Sequence, residues 1–289
     1  MNSRHAYLIM AHADPEHLQQ LVSAIDDYRN DIFIHLDLKS DILKFNTIET
    51  TKSKLKFIDN RIDVRWGDPS QIYAEYELLK FVNRGGYDRI HLISGSDYPL
   101  KSQDFIHDFF AKHSTDEFID FEDETTLTGE LRKKMRLYNL FLPLISNHNK
   151  TIAFLFGFLR RVLLVIQMAF GINRRYTIDN LKKGSQWVSI TQAFANELLK
   201  HETEIKNEYR LTHCCDEIYK QTIAWNCGFK ERISPLGNMR LIDFARGNGR
   251  SPYTFKESDL TELRASTALF ARKFSSEISG NLTTKLISK

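Results

Sequence analysis

The sequence predicts an α/β protein in which a mainly parallel sheet carries helices on both faces. Three observations favour this class: apolar segments of strand length alternate with amphipathic segments over the amino-terminal half, the carboxyl-terminal half is again mixed, and the 289 residues are 42% hydrophobic and 27% charged. Neither a repeat nor a linker divides the chain. We therefore expect one domain over residues 1–275, with a helical hydrophobic insertion at 125–180 and a tail at 276–289.

The first strand and the first helix have the clearest signals. Residues 5–12 form a compact apolar run, which predicts a buried strand. Asp14 and Pro15 then supply an N-cap and a first-turn proline for a helix, whose apolar residues recur at helical spacing as far as Ile25. The same patterns predict strands at 32–36, 89–94, 117–121, 186–190 and 240–244, one or two short strands within 55–64, and helices at 72–82, 103–112, 191–200, 216–225 and 259–269.

Polar segments follow several of the predicted strands. Asp37 comes directly after one strand, residues 66–68 (WGD) follow another, and residues 94–99 (SGSDYP) follow a third. Ligand sites of parallel α/β sheets gather at the carboxyl ends of the strands, so these segments are candidates for one site. Each of them, taken alone, is also typical of an ordinary turn.

Charge and cysteine content narrow the class of partner and the compartment. Lys and Arg number 40 against 37 Asp and Glu, a net charge of +3, so nucleic acid is not an expected partner. Cys214, Cys215 and Cys227 lie close together and provide no disulfide framework, which fits a reducing compartment. The amino-terminal residues lack the pattern of a secretion signal. We therefore expect a cytoplasmic protein.

The longest apolar stretch, residues 152–172, resembles a membrane span in composition. Arg160 and Arg161 lie in its middle, and each costs about 2.5 to 3.5 kcal/mol at a bilayer centre, so we do not predict a span. Basic residues at 133–136 and 174–175 flank it, as in a helix that lies in the interface of a membrane with anionic headgroups. A buried helix with both arginines at its solvent edge is the alternative.

Common catalytic signatures are absent from the sequence. It has no Gly-x-Gly-x-x-Gly after a strand, no P-loop and no His-Glu-x-x-His, and Ser96 lacks the flanking glycines of a nucleophile elbow. Dehydrogenases, P-loop nucleotidases, zincins and α/β hydrolases are therefore disfavoured. Residues 213–216 (HCCD) make a poor zinc site, because adjacent residues cannot easily all turn toward one ion.

Ordered motifs connect the chain to a known family. They are residues 6–12 (AYLIMAH), 34–40 (IHLDLKS), 66–70 (WGDPS), 92–102 (LISGSDYPLKS), 184–187 (GSQW), 215–217 (CDE) with 221–222 (QT), and 269–274 (LFARKF). Over roughly residues 4–275 the chain resembles the core-2/I-branching β-1,6-N-acetylglucosaminyltransferases, the family that also contains the peptide O-xylosyltransferases. The resemblance implies a GT-A-type, Rossmann-like mixed sheet flanked by helices and a UDP-sugar donor. It further implies inversion at the anomeric carbon without a metal ion or other cofactor, and the sequence indeed contains no Asp-x-Asp.

Transfer of the family's roles implies a base and two diphosphate-binding cations. The resemblance assigns Glu217 as the base that takes the proton of the acceptor hydroxyl, and Arg250 and Lys273 as the cations that bind the diphosphate in place of a metal. Two alternatives stay open. Lys273 is also readable as a surface charge beside Arg272, and Asp216 as the cap of a helix that has Glu217 in its first turn.

The resemblance also suggests where the nucleoside and the acceptor bind. The expected nucleoside-binding residues are Ala11, His12, Asp37 and Trp66, although a core position for Trp66 is an alternative. The expected acceptor-binding residues are Asp120, Glu122, Arg132 and Trp187. The match is poor around residues 125–180, so the acceptor-binding side is less well defined than the nucleoside-binding side.

These readings lead to three hypotheses about function. The first is a bacterial enzyme of surface polysaccharide assembly that transfers β-linked GlcNAc from UDP-GlcNAc to a glycan or lipid-linked glycan, at the inner face of the membrane, with peripheral contact through residues 152–175. The second is a transferase of the same family that uses UDP-xylose or another UDP-sugar. The third is a membrane-surface binding module that has lost turnover; retention of both Glu217 and the Arg250 and Lys273 pair argues against it.

Overall fold

A computed structural model describes residues 3–83, 85–122, 132–146, 149–247 and 251–287. The strands are β1 (His5–Ala11), β2 (Asn30–Leu36), β3 (Lys54–Phe57), β4 (Arg89–Ser94), β5 (Asp97–Pro99), β6 (Val188–Ile190), β7 (Arg240–Ile242) and β8 (Phe270–Arg272). The α-helices are α1 (Pro15–Ala24), α2 (Ser70–Val82), α3 (Gln103–Lys112), α4 (Leu142–Ile145), α5 (Lys150–Ala169), α6 (Gln192–Lys200), α7 (Glu202–Glu208), α8 (Tyr219–Asn226), α9 (Leu260–Ala265), α10 (Ser276–Ser279) and α11 (Leu282–Ile287).

The strands form a mixed main sheet and a small second sheet. Within the described residues the main sheet has the order β3-β2-β1-β4-β6, in which β1 to β4 are mutually parallel and β6 runs antiparallel to β4. The small sheet has the order β5-β8-β7. The carboxyl ends of β1, β2 and β4 therefore lie at one edge of the main sheet. The predicted α/β class, with a mixed sheet flanked by helices, is confirmed.

Both faces of the main sheet are buried, which explains why β1 is apolar throughout. Ala6, Leu8 and Met10 face one core layer, where α2, α6 and α8 pack, and Tyr7 and Ile9 face the other, where α1, α3 and the small sheet pack. All of these residues are less than a tenth exposed. A strand covered on both faces shows a continuous apolar run and not an alternating pattern.

The elements with strong local signals lie where the sequence predicts them. Asp14 caps α1, since its carboxylate accepts from the backbone N–H of His17 at 3.0 Å, and Pro15 is the first helical residue. The bounds of β4 and α3 are those predicted from their apolar pattern.

Two predicted strands are wrong or too long. At 117–121 only isolated bridges form, at Glu117 and Phe118. The strand pattern at 55–64 is too long, because the observed strand there, β3, ends at Phe57. Beyond it the chain is held as a loop, because the Arg61 guanidinium donates to the backbone carbonyls of Leu36 and Ser40.

Several later elements are shorter than predicted. The helix predicted at 216–225 is a 3₁₀ turn (Cys215–Glu217) followed by α8, and the two are separated at Ile218, whose φ of -128° is not helical. β7 ends at Ile242, and the helix predicted at 259–269 is reduced to α9. In the tail, for which no pattern is predicted, α10 and α11 form, and Ser276 binds the Asp14 carboxylate.

The apolar segment 152–172 forms most of α5, which lies largely on the surface. Phe154, Phe158 and Val165 are 77%, 57% and 60% exposed, and within the described part of α5 only Leu164 is buried. The alternative of a buried helix is therefore wrong. By length and composition α5 is also the one described helix apolar enough to cross a membrane, with a mean hydropathy of 1.9.

Candidate active site

A cleft of about 1110 Å³ opens at the carboxyl edge of the main sheet. Ala11 and His12 border it at the end of β1, Asp37 at the end of β2 and Ser94 at the end of β4. The small sheet closes the opposite side with Arg240 and Arg272, together with other residues of that wall: Ile242, Phe244, Ser251 and Pro252.

Most of the predicted site residues line this one cleft. They are Ala11, His12, Asp37, Trp66, Asp120, Glu122, Trp187 and Glu217. Lys273 is half-buried, and it follows Arg272 but is not among the lining residues; its backbone N–H donates to the Tyr253 carbonyl. Arg250 lies outside the described residues, as does the side chain of Arg132.

Glu217 lies between two lysines that the motifs do not single out. Its Oε2 atom is 3.4 Å from the Lys183 Nζ and 3.6 Å from the Lys134 Nζ, and its side chain is 35% exposed. Lys183 is 7% exposed and also forms an ion pair with Glu122. These contacts orient the Glu217 carboxylate into the cleft. The only signal for Lys183 is its place directly before the GSQW motif; Lys134 has none.

Backbone contacts of the GSQW motif hold Glu217 in place. The Gly184 N–H donates to the Glu217 carbonyl at 2.8 Å, and Gln221 on α8 donates through its side chain to the Ser185 carbonyl at 2.7 Å. Gly184 has no room for a side chain, because an added Cβ atom would lie 1.7 Å from the Asp120 carbonyl oxygen. The motif therefore brings three backbone segments together at the base of the cleft.

Asp216 does not cap α8, contrary to the alternative that the sequence allows. Its side chain is buried, its Oδ2 atom accepts from the Gln71 Nε2 at 3.2 Å, and its Oδ1 atom has no hydrogen-bond partner among the described residues. Burial, with the nearby charges of Glu217 and Glu75, raises the pKa of Asp216 to about 7. The buried Asp216 side chain therefore connects the turn that carries Glu217 to Gln71 on α2.

A buried polar network lies behind this turn. The Glu75 carboxylate accepts from the Gln186 side chain at 2.8 Å, and it also binds Lys220 and the hydroxyl of Tyr219. Glu75, Lys220 and Tyr219 are all 1% exposed or less, so the ion pair needs these hydrogen bonds to offset the loss of water. The network links α2 and α8 to the GSQW motif.

The amino-terminal side of the cleft contains an ion pair and an exposed ring. Asp37 is buried, and both of its carboxylate oxygens lie 2.9 Å from the Lys39 Nζ. Trp66 is 65% exposed, with its ring edge-on to His213 at 5.7 Å between centroids. The alternative of a core tryptophan is therefore wrong, and the indole is available to a planar ligand.

His12 marks the point where the main sheet meets the small sheet. Its pKa is lowered by loss of water and by the positive charges of Arg272 and Lys273, against the opposing charge of Asp37. Arg272 donates to Asp97 at 2.9 Å and lies over the Trp187 ring at 4.8 Å. Trp187 is buried, packs in the hydrophobic core and borders the cleft beside Arg272.

The two carboxylates that are expected to bind the acceptor, Asp120 and Glu122, differ in their surroundings. Asp120 has an exposed side chain, and its pKa is raised by partial loss of water and by the charge of Glu122. Glu122 is engaged by Lys183. Cys214 also lines the cleft, but burial raises the pKa of its thiol to about 12, so it is not a thiolate nucleophile near neutral pH.

The chain was compared with known proteins and protein families. The structure is similar to S. aureus TarS, with 12% identity and a TM-score of 0.28 over 42% of this chain and 22% of TarS. It is also similar to mouse xyloside xylosyltransferase 1 in its apo form, with 12% identity and a TM-score of 0.41 over 92% of this chain and 97% of that one. No curated protein matches the sequence. The model of the Core-2/I-branching enzyme family matches residues 5–265, nearly the whole chain, and this chain therefore belongs to that family of glycosyltransferases.

Proposed function

We propose that this glycosyltransferase moves N-acetylglucosamine from UDP-GlcNAc to a hydroxyl of a glycan acceptor, with inversion and without a metal ion. Glu217 takes the acceptor proton as the hydroxyl oxygen attacks the anomeric carbon, and UDP leaves from the opposite face. The acceptor belongs to a growing surface polysaccharide, as a free or lipid-linked glycan. The observation that carries the proposal is that Glu217 borders the same cleft as Ala11, His12 and Asp37, the expected nucleoside-binding residues.

Positive side chains take the place of a metal in this proposal. Negative charge grows on the β-phosphate as UDP departs, and Arg250 and Lys273 stabilise it. Arg250 and Lys273 are expected to act at the wall of the cleft formed by the small sheet. Their neighbours in sequence, Ser251 and Arg272, line that wall.

Pairing of the cleft carboxylates with lysine further supports chemistry without a metal. Both oxygens of Asp37 are held by Lys39, and Lys183 pairs with Glu122 and Glu217. A carboxylate oxygen that is paired with an ammonium group is a poor ligand for a divalent cation, since the cation must first displace that group.

The position of α5 favours an acceptor at a membrane surface. The segment around α4, which precedes α5, contacts the cleft: Ser146 binds the Trp66 carbonyl, and Asn139 accepts from Arg160 and donates to the Lys134 carbonyl. With its apolar face in the membrane interface, α5 would hold the mouth of the cleft near the headgroups, within reach of a lipid-linked glycan.

A donor screen that measures UDP release tests the proposal. Wild-type protein and Glu217→Gln are compared over a panel of UDP-sugars, with and without glycan acceptors, in EDTA and in manganese. We expect UDP-GlcNAc to be preferred, release to need Glu217, and activity to persist in EDTA. Preference for UDP-xylose supports the second hypothesis. If UDP release does not distinguish among the UDP-sugars, the proposal is contradicted. Loss of activity on chelation that manganese restores contradicts the metal-independent chemistry.

A further inference from the structure

A cluster of metal-ligand side chains lies outside the cleft, where the end of α6 meets the end of α8. Glu197 is in the last turn of α6, His201 follows that helix, and Cys227 follows α8. The His201 Nε2 is 3.3 Å from the Glu197 Oε1 and 3.8 Å from the Cys227 Sγ. One ligand atom of each residue lies within 4.8 Å of the others.

These separations match the edges of a tetrahedral zinc site. Zinc binds imidazole nitrogen, carboxylate oxygen and thiolate sulfur at about 2.0 to 2.3 Å, which places neighbouring ligand atoms roughly 3.3 to 3.6 Å apart at tetrahedral angles. The two distances that His201 makes, to Glu197 and to Cys227, lie in or close to this range. The Glu197 Oε1 is the oxygen left for an ion, because the Lys200 ammonium group pairs with the other oxygen, Oε2, at 2.7 Å.

A fourth residue, Glu204, is placed to orient His201 for metal binding. The His201 Nδ1 lies 3.0 Å from the Glu204 Oε2 on α7. With the Nδ1 hydrogen donated to this carboxylate, the Nε2 atom is left to bind an ion between Glu197 and Cys227. Metal-bound histidines characteristically donate their second N–H to a carboxylate in this way, which fixes the ring and its tautomer.

We propose that Glu197, His201 and Cys227 bind one Zn²⁺ ion, with water in the fourth position. His201 and Glu197 have side chains 21% and 19% exposed, which leaves a path for the ion and its water. On binding, the Cys227 thiol releases its proton to solvent and its sulfur replaces one water of the hydrated ion. The mixed N, O and S donor set suits zinc, whereas magnesium and calcium take oxygen ligands.

The proposed zinc site joins α6 and α8 behind the 3₁₀ turn that carries Glu217. α8 starts directly after that turn and carries Lys220 and Gln221, which bind Glu75 and the Ser185 carbonyl. A bound ion ties the far end of α8, through Cys227, to α6. None of the three ligands lines the cleft, so the ion stabilises the fold and takes no part in sugar transfer.

Cobalt substitution gives a direct test on the full-length chain. Metal-free protein is titrated with Co²⁺, and the near-ultraviolet absorption of a cobalt–thiolate bond is recorded together with the d–d bands of tetrahedral cobalt. Zn²⁺ is then added in competition, and the melting temperature is measured against zinc concentration. We expect one Co²⁺ per chain with a thiolate band, its displacement by one Zn²⁺, and a melting temperature that rises with zinc.

Matched variants separate the ligands from other thiols and from general destabilisation. Cys227→Ser should abolish the thiolate band, whereas Cys214→Ser should keep it. Glu204→Gln retains all three ligands and should weaken zinc binding about 10- to 100-fold. The proposal is overturned if the wild-type protein shows no thiolate band, or if Cys227→Ser binds Co²⁺ with the same band and affinity. Because the wild-type titration decides by itself, a variant that does not fold leaves the proposal testable.

Discussion

The Lys183 ammonium group lies 3.4 Å from the Glu217 carboxylate and also pairs with Glu122. One nearly buried cation thus connects the proposed base with a carboxylate that is expected to bind the acceptor. The arrangement joins residues that are far apart in the chain, and it makes the geometry around Glu217 the first feature to test.

Glu217→Gln should stop proton transfer and leave donor binding intact. The amide retains size and hydrogen bonding but cannot take a proton, so we expect turnover to fall by about 10² to 10⁴ with UDP affinity nearly unchanged. Steady-state rates with a working acceptor, beside calorimetric titration of UDP, provide the measurement. Near wild-type turnover would show that another group, such as Asp216, acts as the base.

Arg250→Ala and Lys273→Ala should weaken the binding of UDP itself. Each change removes a charge-assisted contact worth about 1.5 to 3 kcal/mol, so we expect roughly a 10- to 150-fold loss of UDP affinity. Calorimetry of both variants measures it, with Glu217→Gln as the matched control that keeps its affinity. If Lys273→Ala binds UDP as well as the parent does, Arg272, which lines the cleft, is the next candidate.

Gly184→Ala should disrupt the support of Glu217. The new Cβ atom would lie 1.7 Å from the Asp120 carbonyl oxygen, so backbone segments must separate, at a cost of about 1 to 3 kcal/mol or more in the free energy of unfolding. Gly157→Ala on α5 is the control, because its Cβ meets nothing within 4 Å and alanine favours a helix by about 0.5 to 1 kcal/mol. Urea unfolding and turnover of both variants are the measurements. Equal stability of the two variants would contradict the packing described for Gly184.

The exposed face of α5 should bind anionic membranes. Phe154 and Phe158 are 77% and 57% exposed, and each phenylalanine contributes about 1.5 to 3 kcal/mol when its ring leaves water. We expect Phe154→Ser with Phe158→Ser to reduce binding to anionic vesicles more than tenfold. Phe105→Ser, at a 50% exposed site on α3, is the matched control and should bind as wild type does. Sedimentation with vesicles measures this, and no binding by the wild type would contradict the membrane contact.

Buried histidines should make the fold sensitive to acid. The His91 Nε2 lies 3.1 Å from the His5 Nδ1, and the His5 and His107 rings stack at 3.8 Å. Burial lowers the pKa of His107 to about 4 and that of His5 to about 2. In the unfolded chain a histidine titrates near 6.5, so the unfolded state binds these protons first and stability falls as pH drops from about 6.5 toward 4.

The contribution of one histidine can be isolated. Urea unfolding of the wild type and of His107→Gln, whose amide can still donate to Asn30, is compared between pH 7 and pH 5. A fully buried histidine contributes up to about 1.4 kcal/mol per pH unit in this window, and the variant should lose that part of the slope. Identical slopes would mean that His107 is protonated in the folded state.

Local patterns were enough to predict the α/β class and the strongest elements. β1 and β4 are short runs that are rich in apolar residues and buried on both faces, and α1 has its Asp14 cap and Pro15, all signals carried by residues adjacent in sequence. The ordered motifs were enough to predict the family. The strand expected at 117–121 does not form, because the backbone there pairs with two different segments in isolated bridges, Glu117 with Ile233 and Phe118 with Ser189, and no local pattern predicts these partners.

Only the tertiary structure decided what surrounds the proposed base and which face α5 shows to water. Lys134 and Lys183 reach Glu217 from other segments, Gln71 on α2 binds Asp216, and Cys227 meets His201 across two helices. The physical reason is that hydrophobic periodicity indicates how a segment packs, and capping and turn residues indicate where it begins, ends or turns. The partner of a charged or polar side chain depends instead on which segments the packed sheet brings together. The sequence by itself therefore determined the α/β class, the elements with strong local signals and the family, and the packing of the sheet decided the electrostatics of the site.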